Sequence, residues 1–333
     1  VGVPSSLLDV LTIGDYRTML NRSSRLTIEY WDFANCNQST VWIQIQPCPA
    51  NDAVTADVVG RSPMQNVHFR QALTQAIDKA DMIAEAFAGV GVAAFSPTMP
   101  GVSGFPTYTA ETTPLPFNPQ VALANLATAL GELGVAEPDP ADVPPASDNC
   151  DSKCQHTKAW VKMLDPMRFN YNCDAGHDVR VMYMAEHWRD ALGFSGNQLD
   201  VRCTDFGLFP THRPDRTAFY DIARDGWGAD FPHPDNQLRE TFACDSRYNN
   251  STYCNPAFEA LLDQGAHAAD YAVSLPLYHQ AEQLLVQDAP ALFLRYGEAI
   301  SLIRPWVINY VQTPSDHQNV GDTFYENIQI LAH

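Results

Sequence analysis

The residues best suited to bind a ligand are concentrated in one loop, Gly-Trp-Gly-Ala-Asp-Phe-Pro-His-Pro-Asp-Asn at positions 226–236. The loop follows a hydrophobic, strand-like run at 218–223. A large aromatic ring, two glycines and an acid after a strand can offer a flat face, close backbone approach and one fixed negative charge. We predict a ligand-binding loop that acts through Trp227, Gly228, Asp230, Phe231 and His233. The alternative is a Pro/Gly turn in which Trp227 only fills the core, since Trp is usually well buried.

Residue patterns for catalysis are weaker. Asp230 and Asp235 could be the paired carboxylates of a glycoside hydrolase, but one loop rarely places two carboxyl groups on opposite sides of a bond. Asp235 also has a simpler role as an acid near the start of the next helix. Ser103 lacks the glycine spacing of a nucleophile elbow. We therefore expect no enzymatic activity.

Metal and cofactor motifs are equally weak. The ten histidines show no metal-binding spacing, and His177 and His187, on one predicted helix, lie nearly three turns apart. The glycines at 89–94 match a dinucleotide fingerprint but follow a helix instead of a strand. We expect neither a metal nor a cofactor.

The cysteine count favours disulfides. Eight cysteines without a Cys-x2-Cys pair argue against a zinc module and for an oxidising compartment. Local position makes three pairs possible. Cys36 and Cys48 lie at the edges of β-rich runs, and Cys150 and Cys154 could close a Pro-rich loop. Cys173 and Cys203 would lie at the ends of neighbouring strands.

Composition narrows the class of protein further. The chain has 333 residues, 45% of them hydrophobic, which suffices for one large or two medium domains. Its net charge of −19 argues against binding to nucleic acid or an anionic membrane. No apolar run is long enough to span a bilayer, and the first residues lack the features of a signal peptide, as expected for a mature or trimmed product.

Hydrophobic periodicity predicts the elements that must position the loop. Strands are expected at 25–31 and 41–45, and a helix pair from Asn66 to Gly89 with Asp78 capping its second member. A loop follows at 95–117, then a helix capped by Asn118, then a polar excursion at 134–157.

From residue 167 onwards, predicted strands alternate with predicted helices. Strands are predicted at 167–172, 198–205 and 218–223, with a helix at 177–192 and a short helix near Pro214. After the loop, helices are expected at 234–242, 255–268 and 274–287, and a strand at 288–294. The loop thus lies at the carboxyl end of a strand, where ligands bind in open α/β sheets.

Several ordered motifs resemble one family. The 226–236 loop and the string Phe-Arg-Gln-Ala-Leu-Thr-Gln-Ala-Ile-Asp-Lys at 69–79 are similar to segments of bacterial extracellular solute-binding proteins of the peptide- and nickel-binding class. Cys244 and Cys254, followed by Asn-Pro-Ala-Phe-Glu, resemble the disulfide-closed segment of its dipeptide-receptor branch. Residues 304–310 resemble its hinge crossing and 324–330 its final strand, so the resemblance runs from about residue 67 to 330.

The resemblance implies an α/β fold: a type II periplasmic-binding-protein-like lobe, with a mixed sheet flanked by helices, plus strands of a partial first lobe. Residues 1–62 would belong to lobe I, 63–304 would form the ligand-binding lobe II, and 305–333 would return to lobe I. The rest of the first lobe would be missing.

The resemblance also implies a function. The protein would be an extracytoplasmic receptor, periplasmic or a cell-surface lipoprotein, that binds a peptide or another small solute between two hinged lobes. It would be a monomer that serves an ABC-transporter permease. Asp230 would pair with the α-ammonium group of the peptide, and Trp227 would be its aromatic neighbour.

One segment departs from that family pattern. The dipeptide branch carries an arginine just after the strand at 167–172, where this chain reads Asn-Cys-Asp-Ala-Gly. A longer peptide held by its backbone, a sugar or a metal chelate therefore becomes more plausible than a dipeptide. A secreted hydrolase that uses Asp230 and a second carboxylate, and a disulfide-braced interaction module, stay open as alternatives.

Overall fold

A computed structural model of the chain describes residues 21–33, 63–100, 102, 104–173, 177–205, 207, 221–251, 253–301, 306–310 and 325–332. For 21–33 and 298–301 only the backbone is described. The predicted strand at 41–45, the short helix near Pro214, and Cys36 and Cys48 lie outside these residues.

The described part of the chain alternates helices and strands. In chain order these are β1 (Asn21–Phe33), α1 (Val67–Gln75), α2 (Lys79–Ala86), β2 (Val92–Ala93), α3 (Pro119–Glu132), α4 (Ser152–Trp160), β3 (Met167–Asn172), α5 (His177–Leu192), β4 (Leu199–Thr204), β5 (Ile222–Gly228), α6 (Pro234–Phe242), α7 (Pro256–Ala266), α8 (Tyr271–Asp288), β6 (Ala291–Ser301), β7 (Val307–Ile308) and β8 (Gln329–Ile330). Short 3-10 turns occur at Pro63–Gln65, Pro140–Asp142, Val161–Met163 and Tyr325–Asn327.

Six strands form one mixed sheet in the order β2-β6-β1-β5-β3-β4. β3 runs parallel to both β4 and β5, whereas β1 is antiparallel to its neighbours β5 and β6. The strands β3, β4, β5 and β6 therefore point the same way, and their carboxyl ends share one edge of the sheet. β7 and β8 form a separate antiparallel pair.

Helices cover both faces of the large sheet. One core joins α1, α2, α3 and α5 to the sheet, and the other joins α6, α7 and α8. Successive residues of β6 show the division, because Leu292 belongs to the first core and Phe293 to the second. The mixed sheet flanked by helices is thus confirmed.

Local capping explains several helix boundaries. The Asn118 side chain accepts hydrogen bonds from the backbone N–H groups of Gln120 and Val121, and Pro119 occupies the first turn of α3. Asp78 caps α2 in the same way, with Ala80 and Asp81 as donors. The predicted bounds of β3, α5 and α6 are confirmed, and the other predicted helices differ by a few residues at their ends.

Four elements differ from the sequence prediction. The segment 324–330, predicted as the final strand, forms a 3-10 turn at Tyr325–Asn327 and the two-residue strand β8. α4 begins inside the segment 134–157, which was predicted as a polar excursion, and continues to Trp160; Asp151 caps it by accepting from the Cys154 N–H. β5 begins at Ile222 and continues to Gly228, because its backbone pairs with β1 over residues 222–228. Trp227 and Gly228 consequently end a strand, and the predicted loop begins only after them. β6 extends to Ser301, beyond the predicted 294, since it pairs along β1.

β1 pairs inside this sheet, although residues 1–62 were assigned to lobe I. The division into 1–62, 63–304 and 305–333 as parts of two lobes stays a prediction.

Candidate functional site

The predicted binding residues lie at the carboxyl edge of the parallel strands. Trp227 of β5 pairs with Ile28 of β1, which pairs on its other side with Tyr296 of β6. Asp230 follows two residues after the end of β5, and α6 begins at Pro234. The sheet therefore presents this loop where open α/β sheets bind ligands.

Asn236 holds the loop in place from the first turn of α6. Its Oδ1 accepts hydrogen bonds from Trp227 Nε1 at 3.0 Å and from the Asp230 backbone N–H at 3.1 Å. Its Nδ2 donates to Asp230 Oδ2 at 3.3 Å. Asn236 is buried, so these bonds are shielded from water. The sequence pattern did not identify Asn236 as a site residue, although it is the last residue of the quoted loop.

Asp230 itself is exposed. The amide of Asn236 orients its carboxylate, while the backbone N–H of Asp230 is bonded to the same side chain. A carboxylate with one oxygen bonded to a rigid amide can still accept hydrogen bonds from a ligand. The loop thus presents an oriented negative charge at the edge of the sheet.

Trp227 is half-buried and packs against Tyr248. Their ring centroids are 5.0 Å apart at an interplanar angle of 57°, and the Arg247 guanidinium lies 4.6 Å from the Tyr248 ring. The hydrogen bond from its indole N–H to Asn236 and the contact with Tyr248 together hold the Trp227 ring. The indole can serve as a rigid apolar wall beside Asp230.

Asp235 is engaged in an internal network. Its Oδ1 accepts hydrogen bonds from Tyr278 Oη at 2.9 Å and from Arg239 Nε at 3.1 Å, and Arg239 also pairs with Asp263 at 3.1 Å. Burial, with the bond to Asp235, raises the pKa of Tyr278. A carboxylate bound in this way is poorly placed to act with Asp230 as an acid/base pair.

His233 caps α6, because its Nδ1 accepts from the Asp235 backbone N–H at 3.1 Å. This bond requires an unprotonated Nδ1. Burial lowers the pKa of His233 below its ordinary value, although the nearby Asp235 acts in the opposite direction. The imidazole is therefore neutral near pH 7. His233 and Phe231 line a pocket of about 450 Å³ between the loop and the ends of α7 and α8.

A basic cluster lies at the same edge, on the opposite helical layer. The guanidinium groups of Arg180 and Arg295 lie 4.4 and 4.3 Å from the centroid of the Phe87 ring. Arg295 is level with Gly226, since both residues pair with Glu29 of β1. Arg180 also contacts His177 Nδ1 at 2.7 Å. Sequence spacing did not reveal this cluster, because it joins α2, α5 and β6.

Three disulfides join described cysteines: Cys150–Cys154, Cys173–Cys203 and Cys244–Cys254. Cys173–Cys203 links the carboxyl ends of the parallel strands β3 and β4. Cys244–Cys254 closes the segment that carries Tyr248. The bonds thus brace two of the segments that surround the loop.

Within the described residues, no cluster of three or more His, Cys, Asp or Glu side chains could hold a metal ion. None of the described helices has the length and apolar character needed to cross a bilayer.

Comparison with known proteins places these features in context. The model of bacterial extracellular solute-binding proteins, family 5 middle region, matches residues 20–249. The chain is 24% identical to the probable deoxycholate-binding periplasmic protein YgiS of Escherichia coli K12 over 276 residues, 82% of this chain and 44% of YgiS. It is 30% identical to the periplasmic oligopeptide-binding protein OppA of Salmonella typhimurium LT2 over 171 residues, 50% of this chain and 30% of OppA.

Solved structures agree on the fold. OppA of Burkholderia pseudomallei superposes with a TM-score of 0.68 at 19% identity, covering 99% of this chain and 53% of that one. The fold is that of the type II periplasmic peptide-binding proteins. The chain spans less than half the length of these two curated relatives.

Proposed function

Because the chain belongs to the family 5 bacterial extracellular solute-binding proteins, we propose that it captures peptides outside the cytoplasm for an ABC importer. The observation that carries this proposal is the Asp230 carboxylate, exposed beyond the end of β5 and oriented by the buried Asn236. The similarity to an oligopeptide-binding protein supports a peptide as the ligand.

The mechanism follows from charge and rigidity. The α-ammonium group of a peptide supplies three N–H donors and a positive charge, which complement the Asp230 carboxylate. Because Asn236 and Trp227 already fix the loop, little conformational entropy is lost when the ligand binds. Closure of a second lobe over this edge would exclude water and strengthen the ion pair.

The carboxyl end of the peptide needs a different partner. Arg180 and Arg295 supply basic groups at the same edge of the sheet but on the opposite helical layer from α6. Contacts at both layers favour an oligopeptide over a dipeptide. The importer's permease would accept the loaded protein, and we propose that the protein acts as a monomer without catalysing a reaction.

The test is thermal unfolding of the 333-residue chain with a panel of tripeptides to octapeptides, while mass spectrometry follows the peptides. A ligand at 100 times its Kd adds about 2.7 kcal/mol to the free energy of unfolding. We expect a rise in Tm of about 5 °C for at least one peptide length and intact peptide after incubation. Hydrolysis of the panel, or no shift with any peptide, would refute the proposal.

A further inference from the structure

The pocket on the far side of the binding loop has no role in the ammonium contact at Asp230. It lies between the loop, the C-terminal end of α7 and the N-terminal end of α8, and its volume is about 450 Å³. Phe231, the residue after Asp230, forms part of its wall. The pocket therefore adjoins the proposed peptide site without including Asp230.

Four aromatic rings line this pocket, which we name the aromatic pocket: Phe231, His233, Tyr271 and Tyr278. The His233 ring meets Tyr278 edge-on, with centroids 5.2 Å apart at 90°. It lies 5.5 Å from the Tyr271 ring and 6.4 Å from the Phe231 ring. Phe231 and Tyr271 are 49% and 40% exposed, so aromatic surface is open to a ligand.

The rear wall is closely packed. A Cβ atom added at Gly265 of α7 would lie 2.9 Å from the Tyr278 ring, so the glycine allows that ring to lie against the helix. The Tyr278 hydroxyl is held by Asp235 at 2.9 Å. The ring at the back of the pocket is therefore fixed before any ligand arrives.

The electrostatics of the aromatic pocket favour a cation. Its lining includes the carboxylates of Asp235 and Asp270 but neither lysine nor arginine. Arg239 lies behind Asp235 and is paired with two carboxylates, those of Asp235 and Asp263. His233 adds no positive charge near pH 7, because burial lowers its pKa.

The dipoles of α7 and α8 have opposite effects on a cation in the aromatic pocket. The C-terminal end of α7 carries partial negative charge, which attracts cations. The N-terminal end of α8 carries partial positive charge, but Asp270 caps it by accepting from the Val273 N–H at 2.9 Å. The carboxylates and the end of α7 therefore determine the sign of the potential.

We propose that the aromatic pocket binds the cationic side chain, preferentially the guanidinium of arginine, at or next to the amino end of a bound peptide. A planar cation attracts the faces of aromatic rings, and a guanidinium can also stack on them. The carboxylates of Asp235 and Asp270 in the lining complement its charge. This inference rests on the proposed peptide-binding function and adds a specificity to it.

The geometry of the loop supports the pairing of the two sites. Asp230 and Phe231 are consecutive, so their Cα atoms are about 3.8 Å apart. An arginine whose α-ammonium group contacts Asp230 can therefore extend its side chain past Phe231 towards Tyr271. The neutral analogue citrulline keeps the planar shape of arginine but has no charge, and a carbonyl oxygen replaces one of its NH2 groups.

Two measurements separate the pocket from the peptide function. An NMR titration with N-acetylarginine amide, which has neither a free ammonium nor a carboxylate, follows the His233 and tyrosine ring signals. We expect shifts at His233, Tyr271 and Tyr278, and much weaker shifts with N-acetylcitrulline amide. Calorimetry with Arg-Ala-Ala-Ala and citrulline-Ala-Ala-Ala then measures the preference, which we expect to be about fivefold in Kd.

Tyr271→Leu keeps an apolar side chain but removes the ring. It should abolish the preference for arginine, so that the arginine and citrulline peptides bind with equal affinity. Phe117→Leu removes another exposed aromatic ring, away from the pocket, and should keep the preference.

The outcomes are distinct for the two proposals. Equal binding of the arginine and citrulline peptides would refute the cation site and leave the peptide function intact. Ring shifts with N-acetylarginine amide but no binding of either peptide would support the cation site and count against the peptide function. Equal ring shifts with both amides, or none with either, would also overturn the cation site.

Discussion

The substitution Asn236→Asp tests whether one buried amide holds the binding loop. The new carboxylate keeps the shape of the amide, and its Oδ1 can still accept from Trp227 Nε1 and the Asp230 N–H. The donor at Nδ2 is replaced by an oxygen facing Asp230 Oδ2, which lies 3.3 Å away. One hydrogen bond thus becomes a contact between two negative charges.

The size of the effect follows from that distance. Two unit charges 3.3 Å apart interact by about 1.3 kcal/mol in bulk water and about 5 kcal/mol at an effective dielectric constant of 20. Asp230 is exposed and Asn236 is buried, so an intermediate environment applies. We expect Asn236→Asp to lower the free energy of unfolding by about 2 kcal/mol at pH 7.5.

The pH dependence has a defined sign. Burial and repulsion raise the pKa of the carboxyl group introduced at position 236 in the folded protein above its value in the unfolded chain. Below the unfolded pKa this carboxyl group is protonated in both the folded and the unfolded chain, so the variant loses no stability there. The loss of stability appears as pH rises through the folded pKa, where the group becomes charged in the folded protein. The deficit should therefore shrink between pH 7.5 and pH 4.

Urea unfolding at both pH values measures this, with Asn118→Asp as a matched control. Asn118 caps α3 through its Oδ1, and aspartate caps a helix equally well, so the control should change stability little. A deficit at Asn236→Asp no larger than the control, or one independent of pH, would refute the role given to Asn236.

Two further predictions concern packing and buried charge. Gly193 has a φ of +89°, and an added Cβ would lie 2.6 Å from Lys158 Cβ, so we expect Gly193→Ala to cost about 3 kcal/mol by urea unfolding. Gly134→Ala, with a φ of +65° but no atom within 4 Å, should cost only about 1 kcal/mol; equal losses would contradict the clash. Burial lowers the pKa of Lys79 to about 7, while its ammonium donates to the Ala94 carbonyl at 2.9 Å. Between pH 7 and pH 10 the unfolded chain then binds more protons than the folded chain, so the free energy of unfolding of the parent, relative to that of Lys79→Met, should rise by roughly 3 kcal/mol. A difference in free energy that does not change with pH would show that the pKa of Lys79 is not depressed.

Much of the fold was predictable because local signals were strong. Asn118 with Pro119 and Asp78 are capping residues directly before apolar helical patterns, and the structure places helix starts there. α4 was missed because its sequence, Ser-Lys-Cys-Gln-His-Thr-Lys-Ala-Trp, is polar and follows a Pro-rich segment. Only its cap at Asp151 could have indicated it.

Long-range pairing explains the remaining differences. The end of β5 at Gly228 depends on hydrogen bonds to β1, about 200 residues earlier, and the local glycines suggested a loop instead. Arg295 meets Phe87 after a register shift in the pairing of β6 with β1. No local pattern reports such a shift, so the basic cluster was not predictable.

The site shows the same contrast. The loop was recognised from its residue types, and the structure places Trp227 and Asp230 together through Asn236. The hydrogen bonds of Asn236 run six and nine residues back along the chain, and nothing in the sequence separates it from an ordinary first-turn residue of α6. Asp235, which the sequence offered as a second carboxylate, is bound to Tyr278 and Arg239 instead.

The role of Asp230 as the partner of a peptide ammonium is tested most directly by calorimetry with one peptide in two forms. A tetra-alanine peptide with a free amino end should bind the parent chain, whereas its N-acetylated form should bind at least tenfold more weakly, since it lacks the positive charge that pairs with the Asp230 carboxylate. Asp230→Asn should weaken the free peptide and remove this difference. Equal affinity of both peptides for the parent chain, or an unchanged preference in Asp230→Asn, would contradict the assignment of Asp230 as the ammonium site.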